Sequence, residues 1–291
     1  MTGMSGYVPN KVYDRAEIHA AAKLAGLPPG NATAGITTVG ADLCVFWNPF
    51  RGLYANRWIK EPDEFVYSGE GSTGPMTYTG GNWQLKECHE QARPVPVFYK
   101  VKRTGSHWLH LGEFTVMEVI AGISRDKEQN LRDDIRFRFL RITQELISQP
   151  MPERPQLTPP APPTEAELWA LIAARTDKTG GKRRRATKTS RDRRVSDPVL
   201  TAYVLQRAID NGGACESCGV APGWLDDFGR PHFQAHHIDP DIDLTDWIGA
   251  VCGTCHDRLH HGSDRREQAT LLRATVRARQ LEAGRAIFDQ R

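Results

Sequence analysis

The sequence predicts an α+β protein of two domains, and three observations predict it. Residues 1–145 contain short alternating or apolar runs separated by glycine, a pattern typical of strands. Residues 146–163 are crowded with prolines, which disfavour helices and central strands and indicate a semi-rigid linker. Two CxxC pairs and a cluster of histidines follow near the C-terminal end. We therefore expect an N-terminal domain (1–145), a linker (146–163), a helical and basic connector (164–200), a metal-binding module (201–263) and a C-terminal helix (264–291).

The composition is that of an ordinary globular protein, with 39% hydrophobic and 25% charged residues in a chain of 291. No apolar run approaches the roughly 20 residues that span a bilayer, so we expect no membrane partner. The first residues lack the basic start and apolar stretch of a secretion signal. We therefore expect a cytoplasmic protein, in whose reducing surroundings paired cysteines favour metal binding over disulfides.

Positive charge is concentrated in one segment of the connector, although the net charge of the chain is only +3. Such a run suits contacts with DNA phosphates, which add affinity without sequence preference. The alternative is a solvated linker. The candidate DNA-backbone residues are Lys182, Arg183, Arg184, Arg185, Arg193 and Arg194.

The N-terminal domain begins with a predicted amphipathic helix from Tyr13 to Ala25, which Gly26 ends. Later runs rich in β-branched and aromatic residues predict strands. The predicted strands are Leu43–Trp47, Glu64–Tyr67, Val95–Tyr99, Gly112–Val119 and Ile135–Leu140.

Two helices are predicted in the connector and at the start of the metal-binding module. Thr164 is a good N-cap for a helix that runs through Ile172. A second helix extends from Pro198 to Ile209, and Asn211 with two glycines closes it.

Two CxxC pairs predict a closed, structural zinc site, because each pair forms a tight turn that aims two sulfurs at one ion. The four cysteines are Cys215, Cys218, Cys252 and Cys255. A redox role needs only one pair in a thioredoxin-like context, which this sequence lacks.

The histidines of the same module predict a second metal site. His256 and His260 are four residues apart, so they share one helical face and can share an ion. His236 and His237 are adjacent and point to opposite sides of a strand, so they cannot have the same role. The alternative is a zinc-finger module with incidental histidines.

The combined pattern of Cys215-x2-Cys218, His236-His237 and Cys252-x2-Cys255-His256-x3-His260 resembles the zinc-containing HNH endonucleases. The resemblance covers residues 200–263 and implies a ββα-metal fold with a catalytic divalent ion. It implies that His237 is the general base and that His236, His256 and His260 bind the ion. The ion is expected to be Mg²⁺ or Mn²⁺, with Co²⁺ or Ni²⁺ as alternatives, and to neutralise charge on the scissile phosphate.

One position departs from the family pattern. Where these enzymes have their middle asparagine, this chain has Trp247, and the adjacent Asp246 is the candidate substitute. A carboxylate there can accept the Nδ1–H of His237 and orient the ring, or it can be a helix cap without a catalytic role.

Several aromatic residues, Tyr54, Trp58, Tyr67, Tyr78 and Trp83, lie in a glycine-rich part of the N-terminal domain. Exposed rings on loops suit stacking on an extruded base. The alternative is that most of these rings fill the core of the domain.

The stretch Tyr67-Ser68-Gly69-Glu70-Gly71 resembles the YTGxGG signature of SRA domains, which flip methylated cytosine. Pieces of the family's other motifs follow in the expected order, among them Asn82 to Leu85 and Pro94 to Val97. The resemblance implies a twisted, PUA-like β-barrel. It also implies that Tyr67 and Ser68 line the base pocket, and Tyr54 is the candidate for a second stacking tyrosine. The family's aspartate that bonds the cytosine edge has no direct counterpart: Asn56 and Asp63 are the nearby candidates, and Arg57 occupies the closest aligned position.

Together the two resemblances imply a modification-dependent restriction endonuclease. It would flip 5-methylcytosine or 5-hydroxymethylcytosine in double-stranded DNA and cut a nearby phosphodiester. One HNH site cuts one strand, so we expect a homodimer, with the C-terminal helix either pairing protomers or packing on its own domain. The alternatives are an HNH endonuclease with another PUA-like or sulfur-recognising front domain, and a non-catalytic reader of modified DNA.

Overall fold

A computed structural model describes residues 6–51, 54, 56–142, 161–178, 197–226, 229–239 and 244–285. The chain divides into two compact units, residues 1–161 and 162–291. Of the predicted linker, only residues 161–163 are described. The predicted DNA-backbone residues, Lys182 to Arg185 with Arg193 and Arg194, lie outside the described ranges.

The first unit consists of one sheet and two helices. Its elements, in chain order, are β1 (Val12–Asp14), α1 (Arg15–Leu24), β2 (Ile36–Val39), β3 (Asp42–Trp47), β4 (Arg57–Lys60), β5 (Glu64–Ser68), α2 (Gly80–Glu90), β6 (Val95–Lys100), β7 (His107–Arg125) and β8 (Leu131–Arg141).

The strands pair in the order β2-β3-β6-β7-β8-β5-β4, and β1 pairs with β7. All the pairs are antiparallel except β3 with β6, so the sheet is mixed. The predicted α+β class is confirmed for this unit. The order of hydrogen-bonded strands has β2 and β4 at its two ends. The twisted barrel stays a prediction.

Apolar side chains are buried on both faces of the central strands. In β3, Val45 and Trp47 belong to the main core, whereas Cys44 and Phe46 belong to a second cluster with Ile18 of α1. Burial on both faces explains why this strand is an apolar run without alternation. The main core also receives side chains from α2, which packs against β7.

The five predicted strands of this unit are confirmed, with differences at their ends. The strand predicted from Gly112 extends over His107–Arg125, because its hairpin with β8 continues beyond the main core. The first helix begins later than predicted, since Tyr13 pairs in β1 and the Asp14 side chain caps the helix by accepting from Ala16 N.

The second unit consists of helices around a two-stranded hairpin. Its elements are α3 (Glu165–Lys178), α4 (Pro198–Asp210), β9 (Gln234–His237), β10 (Ile248–Val251), α5 (Gly253–His261) and α6 (Arg265–Glu282). Both predicted helices are present. The N-terminus of α3 has the predicted cap, in which Thr164 Oγ1 accepts from Glu167 N and the Glu167 carboxylate accepts from Thr164 N.

The C-terminal helix packs on its own unit, which was one of the two predicted alternatives. Leu272 and Val276 of α6 are buried, and Leu272 lies against Gly249 of β10. A Cβ at position 249 would be 2.8 Å from Leu272 Cδ1, so glycine lets α6 approach the hairpin. None of the described helices is both long and apolar enough to cross a membrane.

Candidate metal centre and base pocket

The β9–β10 hairpin separates the two adjacent histidines. His236 pairs with Gly249 and His237 with Ile248, so the two side chains point to opposite faces. His236 is only 6% exposed, whereas His237 is partly exposed. The two imidazoles therefore have different surroundings, as their adjacency predicts.

Helix α5 brings two more histidines to the buried side of the hairpin. His256 and His260 are one turn apart on α5. One ring nitrogen from each of them and one from His236 all lie within 4.8 Å of one another. The ring centroids of His236, His256 and His260 are 4.6–5.4 Å apart. The three predicted ligands thus meet at one point, and His237 is not among them.

Burial favours the neutral forms of His236 and His256. Burial, together with the neighbouring His260, His256 and His237, lowers the pKa of His236 to about 4. The pKa of His256 is also lowered, first by burial and then by His260. A neutral imidazole is the form that binds a metal, so the donor set suits a divalent ion and leaves coordination positions for water or substrate.

The four cysteines also converge. The Sγ atoms of Cys215, Cys218, Cys252 and Cys255 all lie within 4.8 Å of one another. Gly219 N donates to Cys215 O and Cys252 N donates to Cys215 Sγ, at 2.8 and 3.3 Å. Burial raises the pKa of Cys215, but backbone N–H groups of Cys218, Cys252 and Ser217 outweigh it and lower the pKa. A stabilised thiolate in a set of four sulfurs fits structural Zn²⁺.

Asp246 is fully buried in the turn that leads into β10. Trp247 N donates to Leu244 O, and Ile238 N donates to Trp247 O, each at 2.9 Å. The turn is therefore bonded to the residue that follows His237. The role of Asp246 in orienting His237 stays a prediction.

Arg207 and Glu216, which the sequence analysis missed, form a buried ion pair behind this turn. Their side chains are 2% and 0% exposed, and two guanidinium nitrogens each lie 2.8 Å from a carboxylate oxygen. The attraction of Glu216 keeps the pKa of Arg207 raised, although burial alone would lower it. The sequence signals were an arginine in an apolar helix and a carboxylate inside a CxxC pair.

In the first unit, the residues of the SRA-like signature lie at the end of β5. Tyr67 is 7% exposed and packs in the main core, and its phenol oxygen is 3.5 Å from Phe46 O. Ser68 is also buried, and its backbone N donates to Asn56 Oδ1 at 2.7 Å. Burial raises the pKa of Tyr67, so its hydroxyl keeps its proton.

The other predicted base-binding residues are divided between two places. Tyr54 packs against the main core that contains Tyr67. Asp63 lies at the other end of β5, where its carboxylate is 3.5 Å from Arg141 and 3.6 Å from Lys60. Ser68 lies five positions after Asp63 along the extended strand, a distance of about 16 Å. The structure therefore groups Asn56, Tyr67 and Ser68 and keeps Asp63 apart.

Some of the aromatic residues singled out in the sequence fill the core and others are exposed, so each of the two alternatives holds for part of the set. Trp58 and Tyr67 pack in the core, whereas Tyr78 and Trp83 are exposed. The loop that follows Ser68 is bound by Asn82, whose amide accepts from Glu70 N and donates to Glu70 O and Thr77 O at 2.7–3.0 Å.

Comparisons with known proteins give a family match for part of the chain. Residues 12–155 match the family model of the ScoMcrA-like SRA domain. No curated protein matches the sequence of the chain.

Three solved structures illustrate the similarity. The phosphorothioation-dependent Type IV restriction endonuclease ScoMcrA is 21% identical, with a TM-score of 0.41 over 95% of this chain and 64% of that one. The chain thus spans less than two thirds of ScoMcrA. The modification-dependent restriction endonuclease TagI is 17% identical, with a TM-score of 0.39 over 90% of this chain and 80% of that one.

The SRA domain of SUVH5 bound to fully hydroxymethylated CG DNA is 18% identical, with a TM-score of 0.36 over 54% of this chain and 99% of that one. Together with the mixed sheet and the Tyr67-Ser68-Gly69 segment, the family match identifies the first unit: the chain carries an SRA domain of the ScoMcrA-like family.

Proposed function

We propose that the chain is a modification-dependent DNA endonuclease. Its SRA domain binds duplex DNA that contains 5-methylcytosine or 5-hydroxymethylcytosine and flips the modified base. Its second unit is an HNH domain that hydrolyses a phosphodiester of the same DNA. The observation that carries this proposal is the meeting of His236, His256 and His260 beside the four cysteines, with His237 on the other side of the hairpin.

The family match supports the DNA-binding half of the proposal. SRA relatives are found with modified DNA, as the complex of the SUVH5 domain with hydroxymethylated DNA illustrates. In this chain Asn56, Tyr67 and Ser68 are the candidates to line the base pocket. We also propose that the basic residues from Lys182 to Arg194 contact phosphates, because each such contact releases counterions.

The histidine arrangement supports the nuclease half. His236, His256 and His260 are the proposed ligands of a divalent ion, which supplies charge neutralisation at the scissile phosphate when bound. His237 is proposed to take a proton from the attacking water, because it is close to the cluster in sequence but outside it. Asp246 is proposed to orient the His237 ring. Cys215, Cys218, Cys252 and Cys255 are proposed to hold Zn²⁺ and stabilise the fold around the hairpin.

The proposed site would cut one strand per chain. A double-strand break therefore requires either a homodimer or two successive nicks, and we propose the homodimer.

The test compares cleavage of matched DNA substrates by wild type and variants. Plasmids carrying 5-methylcytosine, 5-hydroxymethylcytosine, phosphorothioate linkages or no modification are incubated with Mg²⁺, Mn²⁺, Co²⁺ or Ni²⁺. We expect wild type to cut the two modified-cytosine plasmids and to spare the unmodified one. We expect His237→Ala to bind modified DNA with unchanged affinity and to lose cleavage.

The matched control is His261→Ala, because this histidine also belongs to α5 but is exposed and outside the cluster. It should cut at the wild-type rate. Equal cutting of modified and unmodified plasmids would exclude dependence on modified cytosine. Preference for the phosphorothioate plasmid would assign the specificity of the ScoMcrA type instead. If the protein binds modified DNA tightly but nicks it with none of the four metal ions, it is a non-catalytic reader of modified DNA.

A further inference from the structure

The buried pair of Arg207 and Glu216 connects three parts of the second unit. Arg207 belongs to α4, and Glu216 lies between Cys215 and Cys218 in the first CxxC turn. The guanidinium binds the carboxylate through Nε and Nη2, each at 2.8 Å. The pair is therefore a two-bond contact with a fixed direction.

The same guanidinium binds the turn that contains Asp246. Its Nη1 donates to Thr245 O and its Nη2 donates to Ile248 O, both at 3.0 Å. These two carbonyls flank Asp246 and Trp247 along the chain. The guanidinium thus holds both ends of the segment that carries the proposed partner of His237.

Glu216 binds Ala250 of β10, the strand that follows this turn. Its Oε2 accepts from Ala250 N at 2.8 Å, and its backbone N donates to Ala250 O at 3.0 Å. Ala250 is two residues beyond Ile248, which pairs with His237. The CxxC turn is therefore bonded directly to the strand that positions the histidines.

A charged pair is not needed at this place for stability alone. Replacing a buried ion pair with neutral side chains of similar volume is often neutral or stabilising, whereas removing one partner leaves a costly buried charge. What the pair adds is a rigid set of donors that point at two particular carbonyls. The two hydrogen bonds to Thr245 O and Ile248 O, made in a fully buried place, indicate a geometric role.

We infer that Arg207 is a positioning residue for the nuclease site: together with Glu216 it fixes the turn of Asp246 relative to the first CxxC turn. This inference rests on the proposed nuclease function. It means that the cysteine site acts on the histidine site through Glu216 and Arg207, and not only by keeping the unit folded.

The test replaces both charges at once, with Arg207→Met and Glu216→Gln in the full chain. The double variant keeps the volume and an acceptor for Ala250 N, but it removes the donors to Thr245 O and Ile248 O. Three quantities are measured: zinc content with resistance to urea, amide exchange of the peptide around residues 244–250, and cleavage kinetics on methylated DNA.

We expect zinc content and resistance to urea to stay at wild-type levels. Exchange in the 244–250 peptide should become faster. The value of kcat should fall about 10–100-fold, the loss typical for groups that hold metal-site residues in place from outside the ligand shell. The value of KM should stay close to that of wild type.

The matched control is Arg279→Gln. Arg279 also contacts the Glu216 carboxylate, at 3.3 Å. Within the described residues, it donates to neither Thr245 O nor Ile248 O. It should keep the wild-type exchange and kcat. A double variant with wild-type exchange and kcat would overturn the inference.

If the double variant loses zinc or fails to fold, Arg207→Lys decides the question, because lysine keeps the charge but not the planar set of donors. Slower cleavage and faster exchange with full zinc content support the inference, and wild-type values of both overturn it. Should wild type itself cut no DNA, the proposed function fails, and the exchange measurement still tests whether Arg207 holds the turn.

Discussion

The two units of the chain are held together by different forces. The SRA unit buries apolar and aromatic side chains on both faces of its sheet, including the stacked pair of Phe65 and Phe139. The second unit has an apolar core among its helices, but its hairpin is surrounded by cysteines, histidines and the Arg207–Glu216 pair. Burial of apolar area needs no ligand, whereas a cluster of thiolates and imidazoles is complete only with metal. Perturbations should therefore act on one unit and spare the other.

Removal of metal should have the largest effect and should be confined to the second unit. Structural Zn²⁺ contributes an apparent ~10–16 kcal/mol in zinc-finger peptides, so chelation should unfold the hairpin and α5. Amide exchange measured by mass spectrometry should show loss of protection in peptides that contain β9, β10 and α5. Peptides of the SRA unit should be unchanged, and equal loss in both units would refute the distinction.

Truncation of the aromatic core should have the opposite selectivity. Phe139 is 0% exposed and stacks on Phe65 with centroids 4.8 Å apart. We expect Phe139→Ala to lower the free energy of unfolding of the SRA unit by about 3–5 kcal/mol, because it leaves a cavity. Urea unfolding followed by tryptophan fluorescence measures this, and zinc content should be unaffected. Met117→Ala, at a position that is 51% exposed, is the control and should cost within about 0.5 kcal/mol.

Acid should weaken the SRA unit through His110. Burial lowers the pKa of this side chain from 6.5 to about 4, against the opposing effect of the backbone at Val8 and Gly112. The unfolded state therefore takes up the proton first as the pH falls. The contribution of His110 to the free energy of unfolding is fully present above its unfolded-state pKa of 6.5. About 3 kcal/mol of it is lost as the pH falls from about 6.5 to about 4.

The measurement for His110 is the free energy of unfolding of the SRA unit at neutral and acid pH. His110→Gln, which has no titrating ring, should show a pH dependence smaller by that amount. The same pH dependence in variant and wild type would show that other groups cause the loss.

Loss of the α3 cap should have the smallest effect, again in the second unit. Thr164→Ala removes the oxygen that accepts from Glu167 N and should lower the free energy of unfolding by about 1 kcal/mol. Thr164→Ser keeps the oxygen and should be close to wild type. Thermal unfolding monitored by exchange in α3 peptides distinguishes the two variants.

The sequence was sufficient to predict features that depend on local pattern or spacing. The strands Leu43–Trp47 and Glu64–Tyr67 were predictable because short β-branched and aromatic runs favour extended backbone. The convergence of His236, His256 and His260 was predictable because strand alternation and helical spacing fix the direction of each side chain.

Features that depend on distant partners were not predictable in this way. Arg207 and Glu216 meet only because α4 packs against β10 and the first CxxC turn. Asp63 is near Ser68 in sequence, but the extended strand between them places it at the opposite end of β5, beside Arg141. Helix α2 was missed because it begins with two glycines, which are poor helix formers.

Because His236 and His237 point to opposite faces, the proposed chemistry depends on the register of β9 against β10. A shift of β9 by one residue against β10 would exchange the two rings, placing His237 against α5 and turning His236 outward. The composition and the ligand count would be the same, but the ring with access to water would now be the wrong one. An inserted or deleted residue within β9 is thus expected to be more harmful than most substitutions there.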